Sequence, residues 1–235
     1  MRHQPAAVTR RRGSDNGQQL TSIVGKIVFP SPGARRSQMY APAQHDEVTG
    51  LVNYIDEQLT AIRSAAFGLT EEQARETPCR SALSVGGIIK HAAFVMRGAL
   101  ERLRTEVTEQ PVDAEAYAAF TDSFAVRDDE TVAATIEEFD RVWAQLRAAV
   151  AATDPAGDTT APPAPWHGIF DARPIHARYY LVHLVEEGAR HAGHADIIRE
   201  QIDGVSVPAL VLTLAGAKAN DFFQPYEPAP GTLLA

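Results

Sequence analysis

The sequence contains one cysteine, Cys79, among its 235 residues. A single cysteine excludes an internal disulfide and is typical of proteins from a reducing compartment. A lone cysteine beside Pro78 is more often incidental than a nucleophile. No apolar run approaches the roughly 20 residues that a bilayer-spanning helix needs. We therefore expect a soluble, cytoplasmic protein.

Basic residues are scarce outside the first 38 positions. Residues 1–38 hold seven Lys/Arg against one acid, Asp15, whereas the other 15 Lys/Arg face 29 Asp/Glu, a net charge of −14. An acidic main domain argues against a nucleic-acid-binding surface. The basic head lacks interleaved aromatic residues, and we expect residues 1–40 to form a disordered extension. Met39 is an alternative start, in which case the preceding residues do not belong to the native protein.

Four segments after Pro42 carry apolar residues at helical spacing. They run from about residue 45 to 67, from Ser84 to about 105, from the acidic cluster 128–130 to about 150, and from Pro174 to about 202. Ser84 suits an N-cap, and Gly204 suits a left-handed cap after the fourth helix. Thr70-Glu-Glu-Gln73 predicts a capping box for a short helix. A further short helix is expected over residues 208–217.

These segments predict an all-α fold. Residues 153–174 are rich in Pro, Gly, Asp and Thr, which indicates a long exposed loop, with a short hairpin near Trp166–Arg173. We see no internal repeat and no convincing run of strands. The expected architecture is a four-helix bundle over residues 41–204, followed by a short helix and a proline-rich tail over residues 205–235. The loops are long enough that at least one connection should cross over.

The fourth predicted helix gathers polar side chains on one face. At about 100° per residue, Glu187, His191 and His194 all lie within about 80° of His183. Buried imidazoles and carboxylates need partners, so an ordinary core helix has no reason to collect them. A divalent metal is the simplest partner that satisfies several of them together.

Metal sites in helical bundles take their ligands from facing helices. Glu187 and His191 are spaced i, i+4, and the second helix contributes His91 from within its apolar run. Gly86 and Gly87, one turn earlier, would allow close helix approach or leave room for a ligand. Three protein ligands with an open coordination position are typical of a catalytic site. This set of donors suits Zn²⁺ and also accepts Ni²⁺ or Fe²⁺.

Structural explanations compete for the same residues. A single buried histidine is more often a hydrogen-bonded core residue than a ligand, and His183, among apolar neighbours, is expected to be of that kind. Ion pairing with Arg190 or Arg178 is the competing explanation for Glu187. The histidines of the long loop are expected to be exposed.

His91, followed much later by Glu187-Gly-Ala-Arg-His191-Ala-Gly-His194, resembles the DinB/YfiT-like superfamily of metal-binding four-helix bundles. That superfamily usually has one histidine on helix two and an H-x-x-x-H pair on the last long helix. Glu187 in place of the first paired histidine is similar to the mycothiol-dependent maleylpyruvate isomerase branch. The wider run from Leu184 to Gly204 is similar to an uncharacterised actinobacterial group of DinB-like proteins. The resemblance covers roughly residues 41–204.

The resemblance implies a divalent metal held by His91, Glu187 and His191, and a low-molecular-weight thiol such as mycothiol or bacillithiol as co-substrate. His194 takes a place that relatives often fill with glutamine, and we assign it to proton handling. Arg190, on the same stripe, would orient a carboxylate of the thiol or substrate. The isomerase branch carries a separate C-terminal domain with no counterpart after residue 204, so maleylpyruvate isomerisation is not expected.

Two functions remain open at this point. The first is a metal-dependent thiol S-transferase acting on small electrophiles, with a hydrolase that uses a metal-activated water as the second enzymatic interpretation. The other function is a non-catalytic metal- or ligand-binding bundle, stress-related or structural, because a fold alone does not establish catalysis. The expected partners are a small-molecule thiol and an electrophile, with no nucleic acid and no membrane. A homodimer is left open.

Overall fold

Helices make up most of the computed structural model, which describes residues 44–104, 113–161, 163–164 and 167–235. The four long helices are α1 (Glu47–Ser64), α3 (Val85–Arg104), α5 (Val132–Ala151) and α6 (Ala177–Asp203). The shorter ones in the described ranges are α2 (Glu71–Arg75), α4 (Ala114–Asp122) and α7 (Val207–Leu214). Strands β1 (Asp158–Ala161) and β2 (Arg173–His176) form an antiparallel pair. The all-α class is confirmed, whereas the predicted extension over residues 1–40 lies outside the described residues.

The four long helices pack around a shared apolar core. α1 lies against α6 and α5, and α3 lies against α5 and α6. Each helix turns one apolar face inward, because residues three and four apart share a side of a helix. The fully buried side chains include Ile62, Ile88, Ile89, Met96, Phe139, Leu146 and Leu181. Each such side chain stabilises the fold by roughly 1.5–3 kcal/mol through burial alone.

Local capping sets most of the helix boundaries. Ser84 Oγ accepts a hydrogen bond from the Gly87 N–H at 3.1 Å at the start of α3. The capping box of Thr70 and Gln73 is present before α2, and Gly204 ends α6 with φ 76°. These three predictions are confirmed. The short helix expected over residues 208–217 is also present, as α7.

The predicted start of the third long helix, at the acidic cluster 128–130, is wrong by a few residues. α5 begins at Val132, and Thr131 is its N-cap. The first N–H groups of the helix, on Val132 and Ala133, donate to the carboxylate of Glu71 at 2.8 and 2.9 Å. The negative charge that favours a helix N-terminus therefore comes from α2 rather than from the adjacent acids.

The predicted loop over residues 153–174 contains a hairpin. Strand β1 pairs with β2 in the register Asp158 to His176, and Thr160 faces Pro174. The prediction that Pro174 begins the last helix is therefore wrong, because the φ angle of proline also suits an extended edge strand. α6 begins at Ala177, whose N–H donates to the carbonyl of Gly157 at 2.8 Å. The hairpin expected near residues 166–173 thus extends further in both directions, and Trp166 lies outside the described residues.

Helix α4 has no counterpart in the sequence prediction. Its N-cap, Asp113, accepts a hydrogen bond from the Ala116 N–H at 2.8 Å, and none of its residues is buried. The end of α4 and the segment that follows are held against α3 by Lys90, whose Nζ lies 3.0 Å from Asp122 and 2.8 Å from Glu130. This anchoring places residues 120–124 beside the first half of α3.

Arg199 ties the end of α6 to the end of α1. Its side chain is fully buried and donates to the carbonyls of Ala65 and Phe67 at 2.8 and 2.7 Å. It also forms an ion pair with Asp203 at 2.7 Å, and its guanidinium lies 5.5 Å from the ring centre of Tyr226 in the tail. Over the described part of the chain, no helix is long and apolar enough to cross a membrane.

Candidate functional site

His91 lies in the first half of α3 and is 2% exposed. The glycines before it allow the segment after α4 to approach the helix closely. A Cβ on Gly87 would lie 2.1 Å from the carbonyl oxygen of Phe124, and a Cβ on Gly86 would lie 2.9 Å from a methyl group of Val132. Of the two roles expected for the glycine pair, the structure shows close approach. That approach brings Phe124 to within stacking distance of His91, with ring centres 3.8 Å apart.

The hydroxyl of Ser123 determines which nitrogen of His91 carries a proton. Ser123 Oγ donates its hydrogen to the carbonyl of Phe120 at 2.6 Å, so it must accept from Nδ1 of His91, 2.8 Å away. Nε2 therefore keeps its lone pair. Burial and the neighbouring His191 lower the pKa of His91 to about 4. The ring is neutral at pH 7, as both a metal ligand and a base require.

Three residues of α6 complete the cluster. The ring of His191 lies 4.8 Å from the ring of His91 and 5.5 Å from the ring of His194, measured between centres. Nε2 of His191 lies 3.6 Å from a carboxylate oxygen of Glu187. Burial lowers the pKa of His191, although Glu187 acts in the opposite direction.

The cluster contains buried nitrogens that need a partner. Nδ1 of His191 and Nδ1 of His194 have no hydrogen-bond partner in the part of the chain that the structure describes. Buried polar atoms are nearly always paired, so a further ligand fits at this point. Neutral imidazoles and a carboxylate are donors that Zn²⁺, Ni²⁺ and Fe²⁺ all accept. The contact between Ser123 and His91 is the kind of hydrogen bond that orients metal-binding histidines.

A small cavity of about 30 Å³ adjoins the cluster at the centre of the helices. Its wall is apolar, formed by side chains such as Leu59, Met96 and Leu146, except where Glu187 and His191 border it. A space of this size holds a water molecule or an ion and is far too small for a thiol co-substrate. A substrate must therefore approach from outside the helix core.

A second group of donors shares Glu187 with the first. The ligand atoms of His183, Glu186 and Glu187 all lie within 4.8 Å of one another, and no other trio within residues 44–104, 113–161 or 167–235 meets that limit. The donors of His91, Glu187 and His191 are thus more widely spread than these. His183 and Glu186 are exposed and already bonded to each other at 3.0 Å. The buried cluster is the stronger candidate, because two of its buried nitrogens, on His191 and His194, lack hydrogen-bond partners in the described part of the chain.

The part of the chain that contains the cluster matches a known protein family. A family model described as mycothiol-S-transferase matches residues 50–204, more than half of the chain. The chain belongs to the mycothiol S-transferase family. The expected relationship to DinB-like proteins is thereby confirmed. No curated protein and no solved structure matches the chain.

In this member of the mycothiol S-transferase family, the outer face of α6 carries ion pairs. Arg190 is paired with Glu186 at 2.9 Å and is 60% exposed, and Arg178 is paired with Glu47. Neither arginine pairs with Glu187, so the explanation of Glu187 by such pairing is wrong, and the nitrogen that lies 3.6 Å from its carboxylate is Nε2 of His191. The role of Arg190 in orienting a substrate carboxylate stays a prediction.

The prediction that His183 is a buried core residue is wrong, because its side chain lies on the exposed face of α6. Its Nδ1 lies 3.0 Å from the carboxylate of Glu186. The buried positions around it belong to Tyr180 and Leu184, which face the other long helices. The histidines of the loop, His167 and His176, are exposed as expected.

The residues that sequence reasoning missed are those that surround His91 from the α4 side. Ser123 and Phe124 lie 32 and 33 positions after His91, so no local pattern links them to it. Both lie within residues 50–204, the part of the chain that the mycothiol S-transferase family model matches. The one signal present was the glycine pair at 86–87, which indicated that something packs tightly against α3.

Proposed function

We propose that this protein is a divalent-metal-dependent S-transferase that joins a mycothiol-type thiol to small electrophiles. Membership of the mycothiol S-transferase family supports the transferase class and the thiol. The observation that carries the proposal is the contact between His91 and His191, at 4.8 Å between ring centres. It brings a neutral imidazole from α3 to the imidazole and carboxylate of α6 at the centre of the fold.

The scaffold in this proposal is a DinB-like four-helix bundle over residues 41–204. The packing of α1 against α5 and α6, and of α3 against the same two helices, supports it. Residues 205–235 would be an appendage that covers one end. We propose the cytoplasm as the compartment, on the evidence of the single cysteine. We also keep the homodimer as an open alternative.

His91, Glu187 and His191 would hold the metal, with Zn²⁺ first and Ni²⁺ or Fe²⁺ as alternatives. When bound, the metal supplies a positive charge that lowers the pKa of the co-substrate thiol. The residues of the chain keep the metal-binding nitrogens unprotonated. Ser123 keeps Nε2 of His91 free of its proton, and burial keeps both rings neutral.

His194 is proposed to take the proton that the thiol loses, because its ring lies 5.5 Å from that of His191. The sulfur then forms a bond to the electrophilic carbon, and the leaving group departs with the electron pair of the bond that breaks. Arg190 would orient a carboxylate on the thiol or substrate, and to do so it must exchange its ion pair with Glu186. Because Arg190 is 60% exposed, giving up that ion pair costs little free energy.

The test is a transfer assay with mycothiol and a panel of small electrophiles, using protein loaded with Zn²⁺. His194→Ala should lower kcat by roughly 10²–10⁴-fold with metal content unchanged, the range for loss of an acid–base group. The matched control His176→Ala, in the exposed hairpin, should behave as the wild type. Absence of transfer from metal-loaded wild-type protein to any electrophile would overturn the proposal.

A non-catalytic metal-binding bundle is the second candidate. The size of the central cavity, about 30 Å³, favours it, because the cavity admits an ion but no substrate. Under this candidate the protein would bind the metal tightly, show no transfer, and lose thermal stability when the metal is removed.

A further inference from the structure

Aromatic rings are few in this chain, at 7% of its residues, yet three phenylalanines gather around His91. Phe124 stacks on the imidazole with planes 16° apart. Phe120 meets it edge-on at 5.7 Å, and Phe94 lies 6.4 Å away. Phe120 also lies 5.2 Å from Phe124. The rings therefore form one continuous surface that begins at the imidazole.

This surface extends to solvent along α4. Phe120 is 39% exposed, and Tyr117, on the same side of the helix three residues earlier, is 67% exposed. Helix α4 has nine residues and buries none of them. A helix so short gains little stability on its own. Phe120 thus contacts His91 with one part of its ring and leaves 39% of its surface open to solvent.

We propose that Phe94, Phe120, Phe124 and Tyr117, here called the ring wall, bind the electrophile and favour electrophiles that contain a flat aromatic ring. The proposal rests on the proposed S-transferase function and names its substrate class. The central cavity is too small for an electrophile, so the substrate must lie outside the core and still reach the cluster. The ring wall is the apolar surface that is in direct contact with His91.

The selectivity follows from ring geometry. Aromatic pairs gain from edge-on and offset contacts beyond what area alone provides, by roughly 2- to 12-fold in affinity per pair. An aliphatic electrophile gains only the affinity that comes from burying apolar area. With an aryl halide, the thiol sulfur bonds to the ring carbon that carries the halogen. The carbon–halogen bond breaks, the halide leaves with the electron pair, and the thiol proton passes to His194.

Two measurements test the proposal independently of each other. The first is binding of 1,3-dinitrobenzene, a ring without a leaving group, to the Zn²⁺-loaded protein by equilibrium dialysis. The second is transfer of mycothiol to 1-chloro-2,4-dinitrobenzene and to iodoacetamide. Phe120→Leu keeps an apolar side chain of similar reach and removes the ring. Tyr54→Leu, at an aromatic residue of α1 that is 61% exposed, is the matched control.

We expect Phe120→Leu to weaken dinitrobenzene binding and to raise KM for the aryl chloride, each by roughly 2- to 12-fold. The loss of kcat/KM with iodoacetamide should be smaller than the loss with the aryl chloride, the metal content should stay at the wild-type value, and Tyr54→Leu should change nothing. Binding of dinitrobenzene without any transfer would overturn the proposed function and leave the ring wall as a ligand site.

Three results would overturn the ring wall itself. The first is no measurable binding of dinitrobenzene to the wild type. A second is an equal loss with both electrophiles in Phe120→Leu, because the rings would then only hold α4 in place. The third is a concentration-dependent dimer in sedimentation that Phe120→Leu abolishes, because the surface would then belong to a second copy of the chain.

Discussion

Adding one carbon atom at Gly87 should disturb the candidate site from a distance. A Cβ there would lie 2.1 Å from the carbonyl oxygen of Phe124, and that neighbour is backbone, which cannot swing aside as a side chain would. Gly87→Ala must therefore displace Phe124 and, with it, Ser123. Ser123 is the hydrogen-bond partner of His91, so the change reaches the cluster without touching it.

Gly98 on the same helix provides the matched control, because a Cβ at that position meets nothing within 4 Å. Replacing a helical glycine by alanine stabilises a helix by about 0.8–1 kcal/mol, and this gain applies at both positions. Forcing an atom into packed structure costs roughly 1–3 kcal/mol, and this cost applies only at Gly87. We expect Gly98→Ala to raise the free energy of unfolding by up to about 1 kcal/mol and Gly87→Ala to lower it by up to about 2 kcal/mol.

Urea unfolding followed by circular dichroism measures both variants under identical conditions, with metal removed by a chelator. Affinity for Zn²⁺, from chelator competition, should fall for Gly87→Ala alone. If the two variants were equally stable and bound Zn²⁺ equally well, the close packing of Phe124 on α3 at Gly87 would be refuted. The dependence of His91 on that contact would then be refuted as well.

The remaining predictions concern single contacts. Ser123→Ala removes the acceptor of His91 Nδ1 and should weaken Zn²⁺ binding roughly 10- to 100-fold in chelator competition, whereas Ser81→Ala, at an exposed position, should not. The pKa of His91 is about 4 when folded, against an ordinary value of 6.5, so the unfolded chain takes up the proton first as the pH falls. The metal-free protein should lose up to about 3 kcal/mol of stability between pH 6.5 and pH 4, and urea titrations of His91→Gln should show a smaller loss. Arg199→Met leaves Asp203 and two carbonyls without their partner and should cost roughly 3–5 kcal/mol in urea unfolding, whereas Arg190→Met should cost under about 1 kcal/mol.

The long helices and their ends were predictable because the signals are local. Apolar residues three and four apart mark the inward faces of α1, α3 and α5. The side chains that cap α2 and α3, Thr70 and Ser84, lie within three residues of the groups they bond. Gly204 takes the positive φ that glycine adopts most readily. The metal-ligand candidates on α6 were visible for the same reason, since their spacing is helical.

Helix α4 and the full extent of the hairpin were not predictable from these signals. α4 buries no residue, so it has no apolar stripe to reveal it. Pro174 satisfies the geometry of a helix start and of an edge strand alike, and pairing with Thr160 decides between them. The contact between Ser123 and His91 spans 32 positions. Contacts of that range depend on packing, which the local pattern does not contain.

The metal content of freshly purified protein shows whether the buried cluster of His91, Glu187 and His191 holds an ion. We expect about one divalent ion per chain in the wild type. The ion should be lost in His91→Ala and His191→Ala and kept in His183→Ala, which changes a histidine of the exposed group on α6. Loss of the ion in His183→Ala with full retention in His91→Ala would place the metal site on the surface of α6 instead. A wild type that neither contains nor takes up Zn²⁺, Ni²⁺ or Fe²⁺ would refute the metal site altogether.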